Sequence, residues 1–162
     1  PLSPTQALAV MQQVCEVLGY LHQQSPSIVH QDLQPEHLVA RSPAVGDLNL
    51  TVTGLLSLPE LQLDTQAALG YRAPEQSLRQ TSTASDLFAL GPILVYLLTG
   101  KDPHSFYTQR EQGFRFYPEY VPGLTPDLIA IVRRLTNPNP AERYRSSDEV
   151  AAALRQSNAE KL

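Results

Sequence analysis

Cysteine is nearly missing from this chain of 162 residues: Cys15 stands alone, which excludes an intramolecular disulfide and a cysteine-built metal cluster. Its place on an apolar helix stripe points to burial rather than reactivity. Long apolar runs are missing too. The longest, LFALGPILVYLL at 87–98, falls short of the ~20 residues a bilayer needs and carries Gly91 and Pro92. No basic stretch followed by an apolar one opens the chain, so no signal peptide is expected, and the expected setting is the cytoplasm without membrane insertion. An excess of basic charge is absent as well. Twelve Lys and Arg against 16 Asp and Glu leave a net charge of −4, and the basic residues are scattered, whereas a nucleic-acid surface needs them clustered. The first residue is Pro1 rather than Met, as in a domain cut from a longer chain.

What is present suits one globular domain. The hydrophobic share is 42%, and a chain of this length can bury roughly 70% of its unfolded surface. Ser3-Pro4-Thr5-Gln6 combines a cap, a first-turn proline and a capping-box glutamine. Leu8, Met11, Cys15 and Leu18 then mark one helix stripe, ending near His22. Two short apolar stretches, 38–40 and 48–52, are separated by the turn residues of 41–46 and predict a hairpin-like pair. Residues 54–71 show no period and predict a long loop. Residues 85–99 are apolar nearly all round, which predicts a central buried helix, kinked at Pro92. The stretch 101–123, rich in proline and aromatics, has weak period. Thr125-Pro126-Asp127 opens a third helix that stops before Pro138 and Pro140, and Ser146 to Glu149 opens a last one through about Arg155.

Four separated motifs share an order and a spacing. His30-Gln31-Asp32-Leu33-Gln34-Pro35-Glu36-His37 resembles the protein-kinase catalytic loop H-R-D-L-K-P-E-N, and Ala73-Pro74-Glu75 resembles A-P-E. Ser85 to Gly91 resembles the start of the central helix of the kinase C-lobe, and Asn139 to Tyr144 the P-x-x-R turn before its last helices. The whole resembles the C-lobe of a Ser/Thr protein kinase of the bacterial, eukaryotic-like type. The resemblance implies a mainly α fold: a helical bundle around one buried helix with a short β-hairpin, over residues 1–156, followed by a polar tail at 157–162. No G-x-G-x-x-G occurs, and the two lysines, Lys101 and Lys161, sit on no strand, so the N-lobe is expected to be absent from this chain.

The resemblance also marks what has changed. The magnesium-binding Asn of the catalytic loop corresponds to His37. Aligning D-F-G on Val52-Thr53-Gly54 puts Val52 where the second magnesium ligand belongs, and Val offers a hard cation no oxygen. Asp47 lies nearby but before the strand, as a turn residue. The catalytic-loop Lys is Gln34, the H-R-D Arg that would pair with a phosphorylated loop is Gln31, and the Thr that would bind the base is Ala68. Thr53 replaces the Phe on which His30 would stack. Asp32 keeps the general-base position, but a base alone supplies about 10²–10⁴-fold, and the rest of the acceleration needs metals and a nucleotide clamp. Asp32 is therefore expected to be a vestigial base that caps the loop by hydrogen-bonding backbone N–H groups. The residues that match are structural: Asp86 should hold the catalytic-loop backbone, and Glu75 should pair with Arg143.

His30, Asp32 and His37 fit no closed zinc pattern, so no metal is expected there. The stretch 113–120 carries Phe114, Phe116, Tyr117 and Tyr120. It either closes the core beneath a loop or presents an aromatic patch to a partner. Ser57 and Thr65 are the few Ser and Thr residues in the 54–71 loop, so phospho-switching is not expected. The reading is a kinase-like lobe without catalysis or cofactor that binds another protein, another domain of its own chain, or a second copy. The alternative is the C-lobe of an active Ser/Thr kinase using ATP and Mg²⁺.

Overall fold

A computed structural model describes residues 1–40, 49–55, 66–111 and 113–159. The expectations for the turn 41–46, Asp47, Ser57, Thr65 and Lys161 lie outside the described residues.

Helix α1 (Pro4–His22) starts as its sequence requires. The Gln6 N–H donates to the Ser3 hydroxyl at 3.3 Å, and the Ser3 N–H donates to the Gln6 side chain at 3.1 Å. Its stripe from Ala7 to Leu21 is buried against α5 (Ser147–Ala159) and α3 (Thr83–Thr99). The predicted hairpin is present as β1 (Leu38–Ala40) and β2 (Leu50–Val52), antiparallel, with Leu38 opposite Val52. A short α2 (Gln66–Leu69) falls within the stretch expected to be loop, and a 3-10 turn (Pro74–Leu78) carries the A-P-E residues.

Helix α3 is the axis of the fold. Every residue from Ser85 to Val95 is buried, and the helix begins two residues earlier than the apolar run suggests. It continues unbroken through Pro92 and ends at Gly100, whose φ of +67° suits a left-handed cap. Helix α4 (Pro126–Leu135) packs against it and faces inward through Leu128, Ile131, Val132 and Leu135. A Cβ on Gly91 would fall 2.7 Å from the Thr136 methyl, so glycine sets how closely α3 approaches the end of α4.

Two expectations need correction. Weak period at 101–123 conceals a second hairpin, β3 (Tyr107–Arg110) with β4 (Gly113–Phe116). Its apolar face is assembled across strands, Tyr107 opposite Phe116, so neither strand shows it alone. The polar tail also begins later than 157. Helix α5 runs to Ala159, and Ser157 is buried with its hydroxyl donating to the Leu154 carbonyl at 2.8 Å. No helix among the described residues is long and apolar enough to cross a membrane.

Candidate catalytic site

The loop from His30 to His37 is held from below by Asp86, which projects from the first turn of α3. Asp86 Oδ2 accepts from the His30 N–H at 2.8 Å and Oδ1 from the Gln31 N–H at 2.9 Å. Oδ2 also faces His22 Nε2 at 2.7 Å, at the end of α1. His22 is a contributor that sequence reasoning missed, because nothing local marks a contact across 64 positions. The buried His30 ring donates from Nε2 to the Thr53 carbonyl at 2.8 Å and accepts at Nδ1 from the Asp32 N–H at 3.4 Å. That pattern places its proton on Nε2. Thr53 thus meets His30 through its backbone, where an aromatic ring would have met it through a stack.

Asp86 takes on the backbone N–H groups of His30 and Gln31. The Asp32 carboxylate instead accepts from Gln34 Nε2 at 3.3 Å and lies 3.7 Å from His37 Nδ1. His37 Nδ1 makes its shorter contact, 2.7 Å, with the Asp32 carbonyl, so this nitrogen spends its proton on the loop backbone. The His37 carbonyl accepts from the Thr53 N–H at 2.8 Å. These bonds close the catalytic loop onto the end of β2.

Gly54 completes the closure. It sits at φ +80°, and a Cβ there would lie 2.6 Å from His37 Nδ1. The imidazole therefore lies flat on the glycine, a consequence that substitution of Asn by His did not by itself reveal. Gly54→Ala is expected to cost about 1–3 kcal/mol through left-handed strain plus overpacking. Urea unfolding measures it, and the companion Gly54→Ala/His37→Ala, which removes the ring, should recover part of the loss.

The geometry bears directly on a divalent ion. Val52 is half-buried, paired with Leu38, and packed against the core. His37 has Nδ1 committed to the Asp32 carbonyl. Mg²⁺ takes oxygen ligands in near-octahedral geometry, and these two positions supply none. The residues present do not fit the magnesium pair that the kinase resemblance implies. Among the described residues no three His, Cys, Asp or Glu side chains converge on a point. Ala68 is buried beside Asp32, in the wall of a cavity of about 10 Å³ that also includes Gln31, Arg72 and Gln76, room for roughly one water.

The structural residues meet as expected. Arg143 forks onto Glu75, Nη1 to Oε1 at 2.7 Å and Nη2 to Oε2 at 2.9 Å. Ser85 donates to Glu75 Oε1 at 2.8 Å. Burial alone would raise the Glu75 carboxyl, but hydrogen bonds from Arg143, its own backbone and Ser85 hold it below the ordinary carboxylate range.

The aromatic stretch divides in two. Phe116, only 3% exposed, packs edge-on to Phe106 and Tyr107 and so belongs to the core, not to a partner surface. Tyr117 is half-buried, while Phe114 and Tyr120 are 65% and 51% exposed. Tyr107, under Phe114, donates from its hydroxyl to the Gly70 carbonyl at 3.0 Å and braces the segment before A-P-E.

The arrangement of catalytic loop, A-P-E turn and central helix has a counterpart in known proteins: a protein kinase domain model matches residues 1–154. The chain belongs to the protein kinase family. Serine/threonine-protein kinase D of Synechocystis is 28% identical to this kinase-family chain over 163 residues, 95% of this chain and 32% of that protein. PknB of Mycolicibacterium smegmatis is 28% identical over 167 residues, 95% of this chain and 26% of that protein. The chain thus spans about a third or less of these relatives. The crystal structure of the Mycobacterium tuberculosis PknI kinase domain superposes with a TM-score of 0.71 at 23% identity, over 98% of this chain and 57% of that one. The likeness to PknI concerns the fold.

Proposed function

We propose that this chain is a pseudokinase-type C-lobe: a kinase scaffold without phosphoryl transfer that serves as a protein-binding or regulatory module in the cytoplasm. One observation carries the reading. At the two positions where the family holds magnesium, this chain has Val52, packed on Leu38, and His37, bonded to the Asp32 carbonyl and lying on Gly54. Phosphoryl transfer depends on positioning and on metal charge, and Asp32 alone cannot supply either. No cofactor is assigned. The partner is another protein, another domain of the same chain or a second copy, and the exposed Phe114 and Tyr120 offer it aromatic contacts. Neither nucleic acid nor membrane insertion belongs to this reading.

Mg²⁺-ATP is expected to leave the melting temperature of the chain unchanged. A ligand at 100 times its Kd adds about 2.7 kcal/mol to the folded state, so a clear rise in melting temperature contradicts the reading. A second reading is favoured by the retained Asp32 and by the relatives' names: the C-lobe of an active Ser/Thr kinase, with ATP and Mg²⁺ as cofactors. Phosphate transfer that disappears in Asp32→Asn would support it.

A further inference from the structure

Gln31 is exposed and non-glycine, yet its φ is +70°, a left-handed backbone that side-chain sterics disfavour. Something must hold the peptides on either side of it in that orientation. On one side the N–H is held by Asp86 Oδ1 at 2.9 Å. On the other, the carbonyl accepts from Gln76 Nε2 at 2.8 Å. Gln76 comes from the turn that carries Ala73-Pro74-Glu75, and its Oε1 accepts from the Ala73 N–H at 2.9 Å. Each end of one amide side chain is therefore spent on a different segment. The residue beside it, Glu75, is fixed by Arg143 and Ser85, so Gln76 projects from a rigid base.

We propose that Gln76 is a positioning residue, a constitutive latch that ties the A-P-E turn to the catalytic loop through the Gln31 carbonyl, with no phosphate needed to bring the two together. At Gln31 itself no guanidinium is present to answer a phosphorylated loop; the latch works through its backbone. It operates whether or not the chain transfers phosphate, so it stands apart from the function proposed above.

The two ends of the amide can be separated. Gln76→Glu keeps an acceptor for the Ala73 N–H but loses the donor for the Gln31 carbonyl, whereas Gln76→Ala loses both. Residue-resolved amide exchange on the full chain reads the difference. In Gln76→Glu the Asp32 amide, which shares its peptide with the Gln31 carbonyl, should exchange about fivefold faster, the scale of one net hydrogen bond, with the Ala73 amide still protected. In Gln76→Ala both should accelerate. The amides of Leu90 and Ile93, deep in α3, should be unchanged in both variants, which separates a local latch from a general loss of stability. Unchanged Asp32 exchange in both variants overturns the proposal, as does acceleration of Leu90 and Ile93 equal to that of Asp32.

Discussion

Arg143→Ala is expected to destabilise the fold by about 3–5 kcal/mol, the effect of leaving one member of a buried ion pair alone. Against a usual total of about 5–15 kcal/mol, that is enough to leave much of the chain unfolded at room temperature. The reason is how fully Arg143 is used. The residue is 2% exposed. Besides its fork on Glu75, it donates from Nη1 to the Ala84 carbonyl at 2.8 Å, from Nε to the Asn137 carbonyl at 2.8 Å and from Nη2 to the Pro138 carbonyl at 3.5 Å. The A-P-E turn, the start of α3 and the approach to α5 are thus fastened by one side chain. Its guanidinium carbon also lies 5.0 Å from the centre of the Phe88 ring. Arg143→Lys should recover little, because an ammonium cannot reproduce a planar fork with this many directed donors. Urea denaturation of the variants measures the loss.

The same pair sets a pH dependence. The Glu75 carboxyl is held below its ordinary value in the folded chain, as argued above. A depressed carboxylate contributes stability that is fully present above its unfolded pKa, about 4.3, and is lost as pH falls through the folded value. Stability should therefore decline below about pH 4, and Glu75→Gln should flatten that decline while lowering stability at neutral pH. Urea midpoints at several pH values check both.

Asp86→Ala is the second large loss expected, about 3–5 kcal/mol from several buried donors left without an acceptor at about 1–3 kcal/mol each. The His30 and Gln31 N–H groups and His22 Nε2 all depend on that carboxylate. Asp32→Asn, by contrast, should change stability by less than about 1 kcal/mol. Asp32 is half-buried, accepts a long hydrogen bond from Gln34, and touches His37 mainly through its carbonyl, which the substitution retains. The contrast separates scaffold from chemistry: the aspartate beneath the loop matters more than the one in the base position. A denaturation series on both variants tests it, and an Asp32→Asn loss as large as that of Asp86→Ala would contradict it.

The scaffold was legible because its signals are local or have fixed chemistry. Ser3 with Gln6, and Thr125 before Pro126, announce helix starts in a few residues. Glu75, Asp86 and Arg143 are charges that this fold buries only when they are paired, so their retention implied their contacts. The hairpin β3–β4 was not legible, because its face is built from Tyr107, Phe114 and Phe116 on two short strands with Gln109 and Arg115 between them. At the candidate site the departures from the kinase pattern could be read from Val52, His37 and Gln34, but not the contacts these residues make. That His37 turns inward onto the Asp32 carbonyl and rests on Gly54 depends on a backbone angle and a ring orientation that no spacing encodes. The contacts of His22 with the Asp86 carboxylate and of Gln76 with the Gln31 carbonyl are likewise tertiary, each spanning more than 40 positions.

The most direct test of the account is a Mn²⁺ titration followed by NMR, because Mn²⁺ accepts the oxygen ligands that suit Mg²⁺ and broadens the signals of nuclei near it. The amides of Asp32, His37, Thr53 and Gly54 should broaden no more than those beside exposed carboxylates such as Asp127 and Glu142. His37→Asn/Val52→Asp, which supplies the two missing oxygen-bearing side chains, should broaden selectively at those four amides. Selective broadening there in the unaltered chain, at Mn²⁺ well below the protein concentration, would mean that a divalent ion is held at the end of β2 after all.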